Sequence, residues 1–283
     1  MTLDYMACTF LVQPLQPASD LLIAELGGLD FESFEETSTG VVAYINKAFW
    51  KPELLENLAV YSYEGFTFSY EFKEIPQQNW NANWEENFAP IQVADSCVVR
   101  APFHDKPAVT YDIVIEPKMS FGTGHHETTH MMLDHILDVD CAHKTLLDMG
   151  SGTGVLAILA AMKGAKEVDA IDIDHWCYVN ALENVERNET PAVAVYEGTA
   201  ALLQEAHFTN KKYEIILANI NRNILLEDMA AYVSHLKPQG LLLMSGFYEQ
   251  DLGMIKEKAH SLGLLYQSHK EKNDWVAAVF KCE

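Results

Sequence analysis

The chain has 283 residues, 49% hydrophobic and 21% charged, with 15 Gly and 10 Pro; it is long enough for one large domain or two unequal ones and shows no compositionally disordered stretch. Its 41 acidic residues against 19 basic give a formal net charge of −22, which repels a phosphate backbone. Without a Lys/Arg cluster, free nucleic acid is excluded as a substrate and a cationic protein is the favoured partner. Acidity also serves plain solubility. The five cysteines, Cys8, Cys97, Cys141, Cys177 and Cys282, are scattered and form no CxxC pair, against a disulfide framework or a cysteine zinc site. The N-terminus lacks a basic start and an apolar run, and apolar stretches fall far short of the ~18 residues of a membrane span. A reducing cytoplasm and no membrane partner are expected.

In chain order, Tyr5–Val12 reads as a strand and Ala18–Leu26 as a helix stopped by Gly27-Gly28. Phe31–Glu36 and Gly40–Asn46 flank a Thr/Ser turn as a strand pair. Pro52–Tyr61 has proline at a helix start and apolar spacing at Leu54, Leu55, Leu58 and Ala59, and Phe66–Phe72 alternates as a half-buried strand. This β-α-β-β-α-β order is that of a ferredoxin-like unit over residues 1–75. Residues 76–93, polar and bounded by Pro76 and Pro90, carry Trp80, Trp84 and Phe88 at helical spacing and predict a short amphipathic linker helix. Its aromatics are expected in interdomain packing. From residue 94 to 283 the pattern becomes α/β. Thr145–Met149, Glu167–Ile173, Tyr213–Asn219 and Gly240–Ser245 are short apolar strands; Val155–Lys163, His175–Asn188 and Ile224–Leu236 are helices between them. Such alternation implies a Rossmann-like, doubly wound parallel sheet covered on both faces.

Four stretches carry chemistry. In Asp148-Met-Gly150-Ser-Gly152-Thr-Gly154 a strand meets a helix through three alternate glycines, where a ligand lies against bare backbone and helix N–H groups are free to meet it. The G-x-G-x-G pattern with Val155 next differs from the dinucleotide G-x-G-x-x-G, and Asp148 stands where a cationic methionine head could be met. Asp172, 22 residues after Gly150, ends the next strand and suits a ribose diol; solvation of a strand end is the plainer reading of Asp172 and Asp174. Asn219 ends Tyr213–Asn219, where an amide oxygen could hydrogen-bond an attacking amine, or the asparagine could simply cap the following helix. Finally, His126-Glu127-Thr128-Thr129-His130 is a literal H-E-x-x-H, in which His126 and His130, with His135 as a third ligand, could hold zinc beside Glu127 as base. Against that hydrolase reading, the stretch opens with a Gly-Thr-Gly loop and the rest of the chain fits nucleotide-type binding.

Together, Phe121-Gly-Thr-Gly-His-His-Glu-Thr-Thr129, the glycine turn, Ile171-Asp172-Ile173-Asp174, Glu183-Asn184-Val-Glu-Arg-Asn188 and Ala218-Asn219-Ile220 resemble the ribosomal protein L11 methyltransferases over nearly the whole chain. The family's usual Gly-Thr-Gly-Thr-His-Pro-Thr-Thr has His125 and Glu127 substituted here, which is how the zinc-like motif arises. Ser151 stands where the family usually has cysteine, and Ile220-Asn-Arg-Asn223 departs from the commonest pattern. The resemblance implies a class I methyltransferase domain behind a ferredoxin-like domain that recognises the ribosomal protein. It implies S-adenosylmethionine as methyl donor, with S-adenosylhomocysteine as product and no metal. Donor contacts would fall on Thr129, Gly150, Asp172 and Asn219, with Asp148 and Gly152 beside them and Phe121, Gly122 and Thr123 in a closing loop. Asn219 would position the amine. The substrate would be the basic protein L11, methylated on lysine side chains and the N-terminal α-amine by a monomeric, cytoplasmic enzyme; another amine or amide substrate is the alternative.

Overall fold

The computed structural model describes residues 5–75, 88–118 and 120–283, and the chain divides into two compact units, residues 1–87 and 88–283. In the first, β1 (Tyr5–Gln13), α1 (Leu15–Gly27), β2 (Phe31–Thr37), β3 (Gly40–Asn46) and β4 (Thr67–Ile75) build an antiparallel sheet of order β2-β3-β1-β4. Strand alternation sends Cys8, Phe10, Val41, Ala43 and Ile45 to one face, where Leu22 and Leu26 of α1 close the core. This is the expected ferredoxin-like arrangement with one correction. The helix predicted over Pro52–Tyr61 is two 3-10 turns, Pro52–Leu55 and Ala59–Ser62. The physical reason is tertiary: the Glu25 carboxylate of α1 accepts the N–H groups of Ala59 and Val60, so those donors turn to a side chain rather than to carbonyls one turn back.

The second unit opens with a small sheet absent from the sequence reading: β5 (Ile91–Val93), β6 (Cys97–Arg100) and β7 (Tyr111–Val114). The expected linker helix therefore does not extend over residues 91–93, and its residues 76–87, with Trp80 and Trp84, lie outside the described residues. Then come α2 (Glu127–Asp138), β8 (Thr145–Met149), α3 (Val155–Met162), β9 (Glu167–Asp172), α4 (His175–Arg187), β10 (Val193–Glu197), β11 (Tyr213–Asn219), α5 (Arg222–His235), β12 (Leu236–Tyr248), α6 (Leu252–Ser261), β13 (Leu264–Lys272) and β14 (Trp275–Cys282).

These strands form one sheet of order β10-β9-β8-β11-β12-β14-β13, parallel except where β14 runs against both its neighbours. Both faces are covered, and side chains alternate between them. Leu146, Ile215, Leu217 and Leu243 pack towards Met132 and Leu156 of α2 and α3, whereas Leu147, Ile216, Leu242 and Met244 pack towards Leu225, Met229 and Ile255 of α5 and α6. The strand order reverses direction between β8 and β11, and at such a point the carboxyl ends of neighbouring strands leave a crevice. The glycine turn, Asp172 and Asn219 all stand at those ends. No helix among the described residues is long and apolar enough to cross a membrane.

Candidate active site

The turn after β8 demands glycine at each alternate position. Gly150, Gly152 and Gly154 have φ of 69°, 54° and 79°, a region costing an L-residue roughly 1–2 kcal/mol. Space is as limiting as torsion. A Cβ built on Gly150 would stand 2.1 Å from Ile220 Cγ2, and one on Gly152 would stand 2.2 Å from the Phe121 carbonyl oxygen. The turn is lashed to β9 by the N–H groups of Gly150 and Ser151, which donate to Ile171 O at 2.9 and 3.1 Å.

Asp172, 8% exposed, accepts the Gly152 N–H through Oδ2 at 2.7 Å and the Asp174 N–H through Oδ1 at 2.9 Å. An ionised carboxylate offers about four acceptor positions, so room remains for a diol. Asp174 caps α4, its Oδ1 accepting from the N–H groups of Trp176 and Cys177. Asp174 is thus a helix cap rather than a solvated strand end, while Asp172 is built into the turn.

Asp148 is fully buried. Its Oδ2 accepts the Ala157 N–H at 3.2 Å. Burial pushes the carboxyl up to about 7 against the lowering effect of that N–H, and the neighbouring Asp172 adds to the rise. At the end of β11, Asn219 donates from Nδ2 to Thr129 Oγ1 at 3.3 Å, which brings together two residues 90 positions apart. Asn221, not Asn219, caps α5, which settles the capping alternative for Asn219.

Among the described residues, Asp148 Oδ1, Ser151 Oγ and Asn219 Oδ1 are buried without a hydrogen-bond partner. Such atoms are costly unless a ligand or water meets them. All three sit on the glycine turn or at the strand ends flanking it. A bare glycine backbone with two carboxylates at its edge is an arrangement that could hold a ligand with amino-acid and ribose ends, such as S-adenosylmethionine.

The loop before α2 lies against this turn. Thr153 donates its N–H to Phe121 O at 3.0 Å and its hydroxyl to Gly122 O at 2.7 Å. Phe121 stays half exposed, and the loop lines a cavity of about 630 Å³ with Thr123 and His126. His125 fastens the loop from outside: Nδ1 meets Thr123 Oγ1 at 3.2 Å, Nε2 meets Ala89 O at 3.1 Å, and its ring lies 4.4 Å from that of Phe88.

The zinc reading of this stretch does not survive the geometry. His126 lies before the helix as its cap and turns Nδ1 to the Thr128 N–H and hydroxyl. Glu127 accepts from Asn273 at 2.8 Å, a bond that lowers its pKa. His135 is buried against Ala277 O at 3.0 Å. Among the described residues the histidines of the motif do not gather into a metal-holding group.

The stretches Glu183–Asn188 and Ala218–Ile220 were singled out in the sequence, but their contacts at the site were not. Ile220 is wedged between Gly150 and Gly246, where a Cβ would stand 2.1 Å from Ile220 O. Asn184 donates to Thr153 O at 3.0 Å and accepts from Glu116 N, and Asn188 clasps Val114 through both N–H and C=O. The spacing of Asn180, Asn184 and Asn188 on one helix face was the available signal. The rings of Phe121, His126, Trp275 and Tyr248 follow one another at centroid distances of 5.1, 4.9 and 4.1 Å.

Comparison with known proteins places these features in context. Residues 20–283 match the family model described as Ribosomal protein L11 methyltransferase (PrmA). The chain is 44% identical over 282 residues to the ribosomal protein L11 methyltransferase of Bacteroides fragilis, covering 98% of this chain and 99% of the relative. It is 32% identical to that of Chlorobaculum tepidum, covering 92% and 91%. Among solved structures, the ribosomal protein L11 methylase of Lactobacillus delbrueckii subsp. bulgaricus superposes with a TM-score of 0.62 at 26% identity, covering 69% of this chain and 99% of that one.

Proposed function

The chain belongs to the ribosomal protein L11 methyltransferase family, and from that premise we propose that it methylates ribosomal protein L11 on lysine side chains and the N-terminal α-amine. It is an S-adenosylmethionine-dependent protein methyltransferase. The observation that carries the amine reading is Asn219: its Nδ2 is tied to Thr129, and its buried Oδ1 is left over as an acceptor beside the glycine turn.

S-adenosylmethionine supplies a methyl group already activated on sulfonium, so no covalent enzyme intermediate is needed. The residues of the chain then bind and align. The bare backbone of Gly150 and Gly152 would let the donor approach, Asp172 would take the ribose hydroxyls, and Asp148 would meet the positive amino-acid end. Phe121, Gly122 and Thr123 cover the donor. Asn219 Oδ1 accepts an N–H of the substrate amine and turns the nitrogen lone pair toward the methyl. Only the neutral amine has that lone pair. A lysine amine near ~10.4 in water loses its proton more readily when desolvated. Alignment of this kind is worth several kcal/mol.

The net charge of −22 attracts a basic ribosomal protein and repels free nucleic acid. We infer further that the enzyme acts as a cytoplasmic monomer, with the ferredoxin-like unit over residues 1–75 recognising L11 and residues 76–93 linking it to the methyltransferase unit. The test is transfer of labelled methyl from S-adenosylmethionine to purified, unmodified L11, read by fragment mass spectrometry. Methyl groups on lysine and N-terminal amines are expected; an unlabelled protein would remove the reading.

A further inference from the structure

The segment Ile220–Asn223, where the sequence departs from the commonest family pattern, leads into a second cavity of about 400 Å³ lined by Asn221, Arg222, Gly246, Tyr248, Asp251 and Trp275 among others. It adjoins the reacting centre through two shared walls. Gly246 backs onto Ile220, which is itself pressed on Gly150, and the Trp275 ring stands next to that of His126 in the aromatic row ending at Phe121.

Arg222 is held rigidly in this cavity. Its Nη1 donates to Asp251 Oδ1 at 2.7 Å, and its Nε and Nη2 reach Asn223 Oδ1 at 3.2 and 3.0 Å. Asp251 is 8% exposed and also receives the Tyr248 N–H at 3.4 Å. A guanidinium has five N–H groups; these contacts use three of them. The Asp251 carboxylate cancels the arginine charge, so the pair as a whole is neutral. A guanidinium that stays a charged donor while its net charge is offset by Asp251 suits a neutral oxygen acceptor rather than an anion, which the acidic chain would repel in any case.

We propose that Arg222, fixed by Asp251, is a specificity-determining residue that donates to a main-chain carbonyl of the protein substrate beside the target amine. The inference rests on the protein-amine reading above and adds the group that recognises the peptide flanking that amine. Asn219 aligns the nitrogen. Arg222 holds the chain that delivers it.

The experiment is steady-state methylation of unmodified L11 by wild type, Arg222→Ala, Arg222→Lys and Asp251→Asn, with donor Kd measured by calorimetry and folding by thermal melting. Loss of a hydrogen bond from a charged donor costs about 1.5–3 kcal/mol, or ~10–100-fold. Arg222→Ala is expected to raise KM for L11 by at least about tenfold, with the loss in KM rather than kcat and the donor Kd as in wild type. Arg222→Lys keeps the charge but lacks the planar fork, so KM stays raised; Asp251→Asn also raises it, by loosening the guanidinium. An unchanged KM in Arg222→Ala overturns the inference, as does a parallel fall in donor affinity and melting temperature, which makes the ion pair a structural brace. If wild type leaves L11 unmethylated in the same assay, the reading under test above falls and takes the inference with it; an active wild type with an unaffected Arg222→Ala removes the inference alone.

Discussion

Ile220 Cγ2 occupies the place a side chain on Gly150 would need, 2.1 Å from the position of a Cβ. The glycine turn is thereby tied to the strand end that carries Asn219. Gly150→Ala must displace Ile220 and also adopt φ near 69°, at a torsional cost of roughly 1–2 kcal/mol. Donor affinity measured by calorimetry is expected to fall about tenfold or more. Because the clash is with a side-chain methyl rather than with backbone, adding Ile220→Ala recovers part of the loss, a non-additivity that a double-mutant cycle reads directly. Gly152→Ala meets the backbone oxygen of Phe121 instead and has no such rescue. Strict additivity of the Gly150 and Ile220 changes would disprove the coupling.

Asn219 and Thr129 make a second pair, whose members are expected to separate kinetically. Asn219→Ala removes the acceptor assigned to the amine, and kcat on L11 is expected to drop about a hundredfold, the scale of a misaligned reaction. Thr129→Val keeps the acceptor and loses only the bond that steadies it, for a loss of roughly two- to tenfold. Equal losses in single-turnover rates would contradict the division of labour.

Much of this site was legible because glycine and strand-end polar residues announce themselves. The buried strands β8 and β11 carry the apolar runs Leu146-Leu147 and Ile215–Ala218, which lead directly into Asp148 and Asn219 beside a glycine turn or a loop. What stayed illegible depended on partners distant in sequence. Pro52–Tyr61 has the spacing of a helix, yet Glu25 takes its N–H groups. The strand β13 carries Gln267, Ser268, His269 and Lys270 along a sheet edge, so apolar patterning could not reveal it. Ile220 over Gly150 is a contact that no spacing rule contains. The H-E-x-x-H stretch erred the other way: the pattern was present, but His126 stands outside the helix as its cap, and two histidines share a helix face only when both are helical.

Asp172 supports the turn as well as any ligand, since Gly152 and Asp174 both donate to it. Asp172→Ala is expected to cost at least about tenfold in donor binding, with a melting temperature lowered by several degrees. Asp172→Asn keeps one acceptor oxygen and recovers much of the stability, less of the affinity. Undiminished donor affinity in Asp172→Ala, measured by calorimetry, would remove the ribose role.

Glu127 and His135 are engaged with Asn273 and Ala277, so the H-E-x-x-H stretch has no free ligand set to offer zinc. Methylation of L11 is expected to proceed at the same rate after prolonged treatment with a strong chelator. Activity lost to the chelator and restored by zinc would return the metal reading.

If Asp148 meets the donor as proposed, donor binding is expected to depend on pH. Burial raises its carboxyl from 3.8 to about 7, so the folded protein holds that proton more tightly than the unfolded chain. Stability from this group is therefore greatest below pH 4 and declines as pH rises towards 7, levelling off above it. Glu214, lowered to about 2 by its bonds to Lys237 and Thr145 against its own desolvation, works in the opposite sense, but its contribution is complete above pH 5. Between pH 5 and 8 the melting temperature of wild type should thus fall relative to Asp148→Asn. Donor binding runs the other way. A cationic ligand prefers the ionised carboxylate, so affinity for S-adenosylmethionine should rise as pH goes up from 6 through 7. In Asp148→Asn the same interval should give a weak and level affinity. Parallel pH profiles for wild type and variant would place the titrating group elsewhere and leave Asp148 a purely structural acid.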